Sequence, residues 1–112
     1  GLDHEYDIEG EERPCMKLPY HQDELITKLL KVRTDTIVTL IGGSPVEIPW
    51  EEKAGTILWS YYAGMESGTA LAGILTGRIN PSGKLAETFP RVYEDTPTGH
   101  NGQFGRDDMV CY

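Results

Sequence analysis

Two hydrophobic periods alternate along this chain. Ile57-Leu58-Trp59-Ser60-Tyr61-Tyr62 is too short for a helix and rich in the aromatic and β-branched residues that suit a strand. Gly64 breaks it. From Glu66 to Thr76 the period changes: Leu71, Ile74 and Leu75 fall at i, i+3 and i+4 on one helical face, and Gly77 stands where a helix C-terminus tolerates positive φ. Asn80-Pro81-Ser82-Gly83 reads as a turn, and Lys84 to Phe89 as a short extended segment ending at Pro90. Upstream, after the connector Pro14 to Pro19, Leu25, Ile26, Leu29, Leu30 and Val32 give a helix over Gln22 to Arg33. Asp23 and Glu24 lie in its first turn and Lys28, Lys31 and Arg33 toward its end, the order the helix dipole favours.

Thr36 to Ile41 has the near-continuous hydrophobicity of a buried parallel strand. Gly42-Gly43-Ser44-Pro45 ends it, and Val46 to Trp50 reads as a second extended piece. Two buried strands, Thr36–Ile41 and Ile57–Tyr62, are thus expected to be joined by a short crossover. A strand, a glycine turn and a helix form a βα unit, which places the chain in the α/β class with a mostly parallel sheet and ligands at the C-terminal ends of its strands.

A chain of 112 residues suits one small domain, and 38% apolar with 25% charged residues is a globular composition. A formal charge of -8 and no basic patch make nucleic acid an unsuitable partner. No apolar run approaches the roughly 18 residues that a membrane helix needs, so no membrane partner is expected. Cys15 and Cys111 lack a nearby CxxC or CxxH and read as free thiols, which argues against zinc. The chain begins with Gly and shows no signal-peptide pattern; a cytoplasmic location is the expectation.

The first thirteen residues, GLDHEYDIEGEER, hold six carboxylates and one arginine. Asp3, Glu5, Asp7, Glu9 and Glu11 alternate, so a regular strand would set five like charges on one side; an acidic loop is the better reading. A calcium loop fails in both registers. Starting at Asp3 it needs glycine where Ile8 stands, and starting at Glu5 it meets Met16 where the bidentate glutamate belongs. A catalytic carboxyl fits, because crowding by other acids favours the protonated form that a general acid needs. Composition alone does not select which one.

Phosphate motifs fail too. Gly77 to Leu85 mimics a P-loop but has five residues between the glycines, and Leu85 replaces the magnesium-binding Ser or Thr. No GxGxxG follows either strand, and no cofactor is expected. Gly42-Gly43 would let backbone N–H groups approach a ligand, although a tight turn needs the same residues. Trp50 reads as a packing residue. Arg91 to Tyr112 has the composition of a surface loop, with His100 exposed and Met109 to Tyr112 able to start another strand.

In order, EGEER, KLPYHQDELI, IVTLIGGSPVEIPW, ILWSYYAGMESGTALAGILTG and NPSGKLAETFP cover nearly the whole chain and resemble the second, α/β-sandwich domain of family 3 glycoside hydrolases of the β-glucosidase type. The resemblance implies an incomplete portion of a three-layer sandwich with a mostly parallel sheet. Residues 1–20 would be the acidic active-site loop and connector, 21–90 the βα core, and 91–112 a surface loop toward a fibronectin-like domain. It also implies a (β/α)8 barrel partner carrying the aspartate nucleophile, and a β-glucoside or oligosaccharide substrate. The family's Glu-Gly-x-Asp-Arg motif supplies the general acid/base. Glu9-Gly10-Glu11-Glu12-Arg13 follows that pattern, with Glu12 in place of Asp, and makes Glu9 the candidate; Glu5 and Asp7 remain alternatives.

Two other readings stand beside this one. A non-catalytic α/β interaction module would keep the scaffold and use the exposed edges of a half-sheet for assembly, including self-association as a homo-oligomer. A carbohydrate-binding module would use Trp50, Trp59 and Tyr61. Alternation sets Trp59 and Tyr61 on one side of a strand, the side expected to be buried.

Overall fold

The structure, a computed structural model, describes residues 1–10, 13–97 and 99. The amphipathic stretch after Pro19 forms α1 (Gln22–Val32), with Asp23 and Glu24 in its first turn and Lys31 in its last. Its start is unusual. Tyr20 and His21 both have positive φ, 55° and 58°, and His21 makes no side-chain cap. Asp23 is committed elsewhere: its carboxylate accepts the Leu18 N–H at 3.3 Å and the Trp50 indole N–H at 2.8 Å. It therefore clamps the connector and the core tryptophan to the helix.

Strands β1 (Ile37–Leu40) and β2 (Thr56–Trp59) pair in parallel, with Ile37 opposite Thr56 and Leu40 opposite Trp59. A short 3-10 turn, Glu51–Lys53, lies between them. Helix α2 (Ser67–Leu75) follows β2 and closes at Gly77, whose φ of 74° is the positive value expected from its position. The Gly77 N–H donates to the Ile74 carbonyl at 3.0 Å. A second 3-10 turn, Tyr93–Asp95, interrupts the segment expected to be plain loop. Two helices and a parallel sheet make an α/β unit.

One expectation needs correction, and two extended segments turn out to be unpaired among the described residues. Neither strand is buried throughout: Val38 and Leu40 are buried, but Ile37 and Ile41 on the opposite face are each 48% exposed, because the described residues pack one face of β1. Val46 to Trp50, read as an extended piece, joins no ladder among the described residues. Pro45 and Pro49 lack the N–H a ladder needs, and the segment is instead fixed by single bonds, Glu47 N–H to the Met16 carbonyl and Ile48 N–H to that of Pro90. Lys84 to Phe89 is likewise irregular and mostly exposed; its backbone tie is the Ala86 N–H to the Tyr61 hydroxyl at 3.2 Å.

Leu2, Leu18, Leu30, Val38, Leu40, Val46 and Trp50 form the core, with Ile26, Ile57, Trp59 and Phe89 packed against it. Trp50 is 2% exposed, in agreement with its reading as a packing residue. Trp59 is half-buried between the Tyr61 and Phe89 rings, its centroid 5.8 and 4.8 Å from theirs, both edge-on. The aromatic side of β2 is therefore spent largely on packing. Between β2 and α2 lies an apolar cleft of about 620 Å³ lined in part by Ile57, Trp59, Leu71 and Ile74. No helix among the described residues is long and apolar enough to cross a membrane.

Candidate active site

The acidic segment sits at the C-terminal ends of both strands. Leu2 is the hydrophobic anchor, buried, with its N–H on the Ile41 carbonyl at 2.7 Å. Beyond it the chain turns at Asp3, whose carbonyl accepts the N–H groups of Tyr6 and Asp7 and whose carboxylate accepts the Glu5 N–H at 3.0 Å. These turn bonds replace the strand that alternation would otherwise suggest.

Two tyrosines then hold the turn. The Tyr20 hydroxyl lies 3.0 Å from the Asp3 carboxylate and 3.1 Å from that of Glu5, and its ring meets Tyr6 edge-on at 5.2 Å. The Glu5 N–H bond, together with the Tyr20 hydroxyl, holds the Asp3 carboxyl below its usual range against slight desolvation. The same contacts push the Tyr20 phenol up, so it stays a neutral donor. On the other side the Tyr62 hydroxyl donates to Asp7 at 2.7 Å.

Asp7 is the most heavily engaged of the described loop carboxylates. One oxygen accepts both Tyr62 and the Gly43 N–H, each at 2.7 Å, and the other accepts the Ser44 hydroxyl at 3.1 Å. Burial raises the Asp7 pKa, but these three donors and the charge of Arg13 outweigh it and leave the carboxyl below its usual range. Asp7 is therefore an ionised acceptor at neutral pH. The glycine pair, which the sequence offered to a ligand, serves this internal carboxylate. A Cβ on Gly43 would lie 2.8 Å from the Asp7 oxygen, and one on Gly42 would lie 2.8 Å from the Trp59 ring.

Glu9 differs from its neighbours. It is exposed, makes no hydrogen bond among the described residues, and precedes Gly10, whose φ is 89° and around which an added Cβ would meet nothing. Arg13 reaches back to the Pro45 carbonyl at 2.6 Å. Between the loop and the segment after β1 lies a cleft of about 690 Å³ lined by Tyr6, Asp7, Ile8, Arg13, Ser44 and Glu47, among others. Glu47, passed over in the sequence, is 7% exposed and accepts the Tyr93 N–H at 2.9 Å, tying the second 3-10 turn to this wall. Its position between two apolar residues, Val46 and Ile48, was the available signal.

Among the described residues no group of three His, Cys, Asp or Glu side chains is placed to hold a metal. Cys15 is an exposed free thiol; Cys111, Glu11, Glu12, His100 and the segment Met109 to Tyr112 lie outside the described residues.

This arrangement, an anchored acidic loop over the ends of a parallel pair, can be set beside known proteins. A model of the glycosyl hydrolase family 3 C-terminal domain matches residues 1–112. The chain belongs to this family. Thermostable β-glucosidase B of Acetivibrio thermocellus is 45% identical over 112 residues, which is 100% of this chain and 15% of that protein. Probable β-glucosidase I of Emericella nidulans is 43% identical over 119 aligned positions, with 100% of this chain and 14% of the relative covered. The crystal structure of the Kluyveromyces marxianus β-glucosidase in complex with glucose superposes with a TM-score of 0.82 at 37% identity, over 88% of this chain and 12% of that one. The family 3 chain thus spans about one seventh of the length of these relatives, and its α/β fold is that of a domain within glycoside hydrolases.

Proposed function

We propose that this family 3 domain supplies the general acid/base of a retaining β-glycosidase acting on terminal β-D-glucosyl or related residues, and that Glu9 is that group. The full-length protein would provide the aspartate nucleophile from a (β/α)8 barrel. A retaining reaction places two carboxyls about 5 to 5.5 Å apart across the glycosidic bond. Glu9 protonates the aglycone oxygen as its bond to the anomeric carbon breaks and the nucleophile attacks that carbon. The resulting Glu9 carboxylate then takes a proton from water as the water attacks the glycosyl-enzyme, and the β configuration is restored.

The observation that carries this reading is the division of labour in the loop. Glu5 and Asp7 accept hydrogen bonds from Tyr20 and from Tyr62, Gly43 and Ser44, whereas Glu9 is exposed and makes no such bond among the described residues. A group that must gain and lose a proton needs access to substrate and water. The names of the relatives support the substrate class.

The test uses aryl β-glucosides on the full-length protein. A leaving group that departs unaided needs no acid, so Glu9→Gln should lower kcat/KM, which reports the acid-assisted step, far more for a phenyl glucoside than for a dinitrophenyl glucoside. Equal losses on the two substrates would refute Glu9 as the acid.

A further inference from the structure

Asp7 stands two residues before Glu9, and its partners come from far along the chain. Gly43 and Ser44 follow β1 and lie 36 and 37 residues away; Tyr62 follows β2 and lies 55 residues away. One carboxylate therefore ties the loop to the ends of both strands at once. Those ends belong to the paired strands, and among the described residues the loop has two other ties to them: the Leu2 N–H on Ile41 and, after Glu9, the Arg13 bond to Pro45. Gly43 lies where a Cβ would strike the Asp7 oxygen and the Tyr62 ring, at 2.8 and 3.0 Å.

We propose that Asp7 is a positioning residue for glycoside cleavage, with Tyr62 as its principal partner: their contact fixes where the loop leaves the strand ends and so aims the Glu9 carboxyl at the glycosidic oxygen. The proposal rests on the reading of Glu9 as the general acid/base. It gives Asp7 no contact with substrate. Both Asp7 oxygens already accept hydrogen bonds, so it has no proton to offer and little capacity to take one. Its effect passes through geometry, and misplacing a reacting group by about 1 Å can cost on the order of 100-fold in rate.

A purely structural Asp7 would lower stability and treat all substrates alike. A positioning Asp7 acts on proton transfer, so its loss must show most where the leaving group needs a proton. The experiment compares Asp7→Ala, Asp7→Asn, Tyr62→Phe and Glu9→Gln in the full-length protein on phenyl and dinitrophenyl β-glucosides. Asp7→Ala should lower kcat/KM, which reports the step that needs the acid, about 100-fold on the phenyl substrate and under about tenfold on the dinitrophenyl one. Asp7→Asn keeps an oxygen for Gly43 and Tyr62 and an amide that can donate to Ser44, and should recover about tenfold of that loss. Tyr62→Phe, at a side chain 56% exposed, removes one hydroxyl and should show the same substrate discrimination at about fivefold; it carries the test if Asp7→Ala does not fold.

Equal losses on both substrates, or no loss, for Asp7→Ala and Tyr62→Phe would overturn the positioning role while Glu9→Gln still discriminates. If Glu9→Gln itself fails to discriminate, the general-acid reading falls and this inference falls with it.

Discussion

The acidic loop of residues 1–10 and helix α2 exchange the roles their sequences suggest. Helix α2 carries a readable apolar face and a glycine stop, yet Gly73 is its one buried residue, and Leu75 on that face is 46% exposed. The loop carries like charges and no usable period, yet Leu2 is buried and Asp3, Glu5 and Asp7 are all engaged by donors from elsewhere in the chain. Periodicity reports which local conformation a segment adopts; it does not report how firmly the segment is docked. Docking depends on partners distant in sequence. Here those partners are two tyrosines, a serine hydroxyl and a glycine N–H, groups that carry no pattern of their own.

Breaking the comparison at the loop should give the largest effect, and on rate alone. Glu9→Gln should reduce turnover of a phenyl β-glucoside by about 100- to 10,000-fold, the usual worth of general acid catalysis, with no shift in thermal midpoint because Glu9 is exposed. Steady-state kinetics with a melting curve reads both. Next is the core that loop and helices share. Trp50→Ala removes a buried indole and leaves Asp23 without one donor; it should cost about 3 to 5 kcal/mol, read from the urea dependence of hydrogen exchange at the α1 amides.

A smaller effect separates the two regions more sharply. Gly43→Ala drives a methyl against Asp7 and Tyr62 and should cost about 1 to 3 kcal/mol, with faster exchange in residues 1–10 and none of that change in α2. Leu75→Ser, a comparable insult by sequence pattern, should stay within about 0.5 kcal/mol in the same measurement. The smallest effect is on pH. The folded-state pKa of Asp7 lies below its unfolded value, so the stability it contributes is present above the unfolded pKa of about 3.9 and is lost as pH falls through the lower folded value. Acid titration of the loop's exchange rates should show this step, and Asp7→Asn should remove it.

Much of the scaffold is legible in the sequence. Leu25, Ile26, Leu29 and Leu30 mark α1 to within one residue at its end, Gly77 marks the stop of α2, and the β-branched run after Asp35 marks β1. Val46 to Trp50 reads as extended, but its buried residues, Val46, Glu47 and Trp50, are held by core contacts and isolated bonds rather than by a ladder. At the site, alternation of carboxylates was visible but its meaning was not. Whether Asp7 or Glu9 is free depends on Gly43, Ser44 and Tyr62, and no local rule links residue 7 to residue 62. Tyr20 and His21 were equally hidden: both take a left-handed backbone that nothing in their residue types suggests, and the Tyr20 hydroxyl clasps Asp3, 17 residues away.

The pH dependence of kcat/KM for a phenyl β-glucoside, measured on the full-length protein and on Glu9→Gln, tests the central claim most directly. A general acid works only while protonated, so activity falls on the alkaline side as it ionises. With Glu9 as that acid, the alkaline limb should vanish in Glu9→Gln and leave a low, flat rate. An alkaline limb of unchanged position in Glu9→Gln would contradict the assignment and move the acid to another carboxyl.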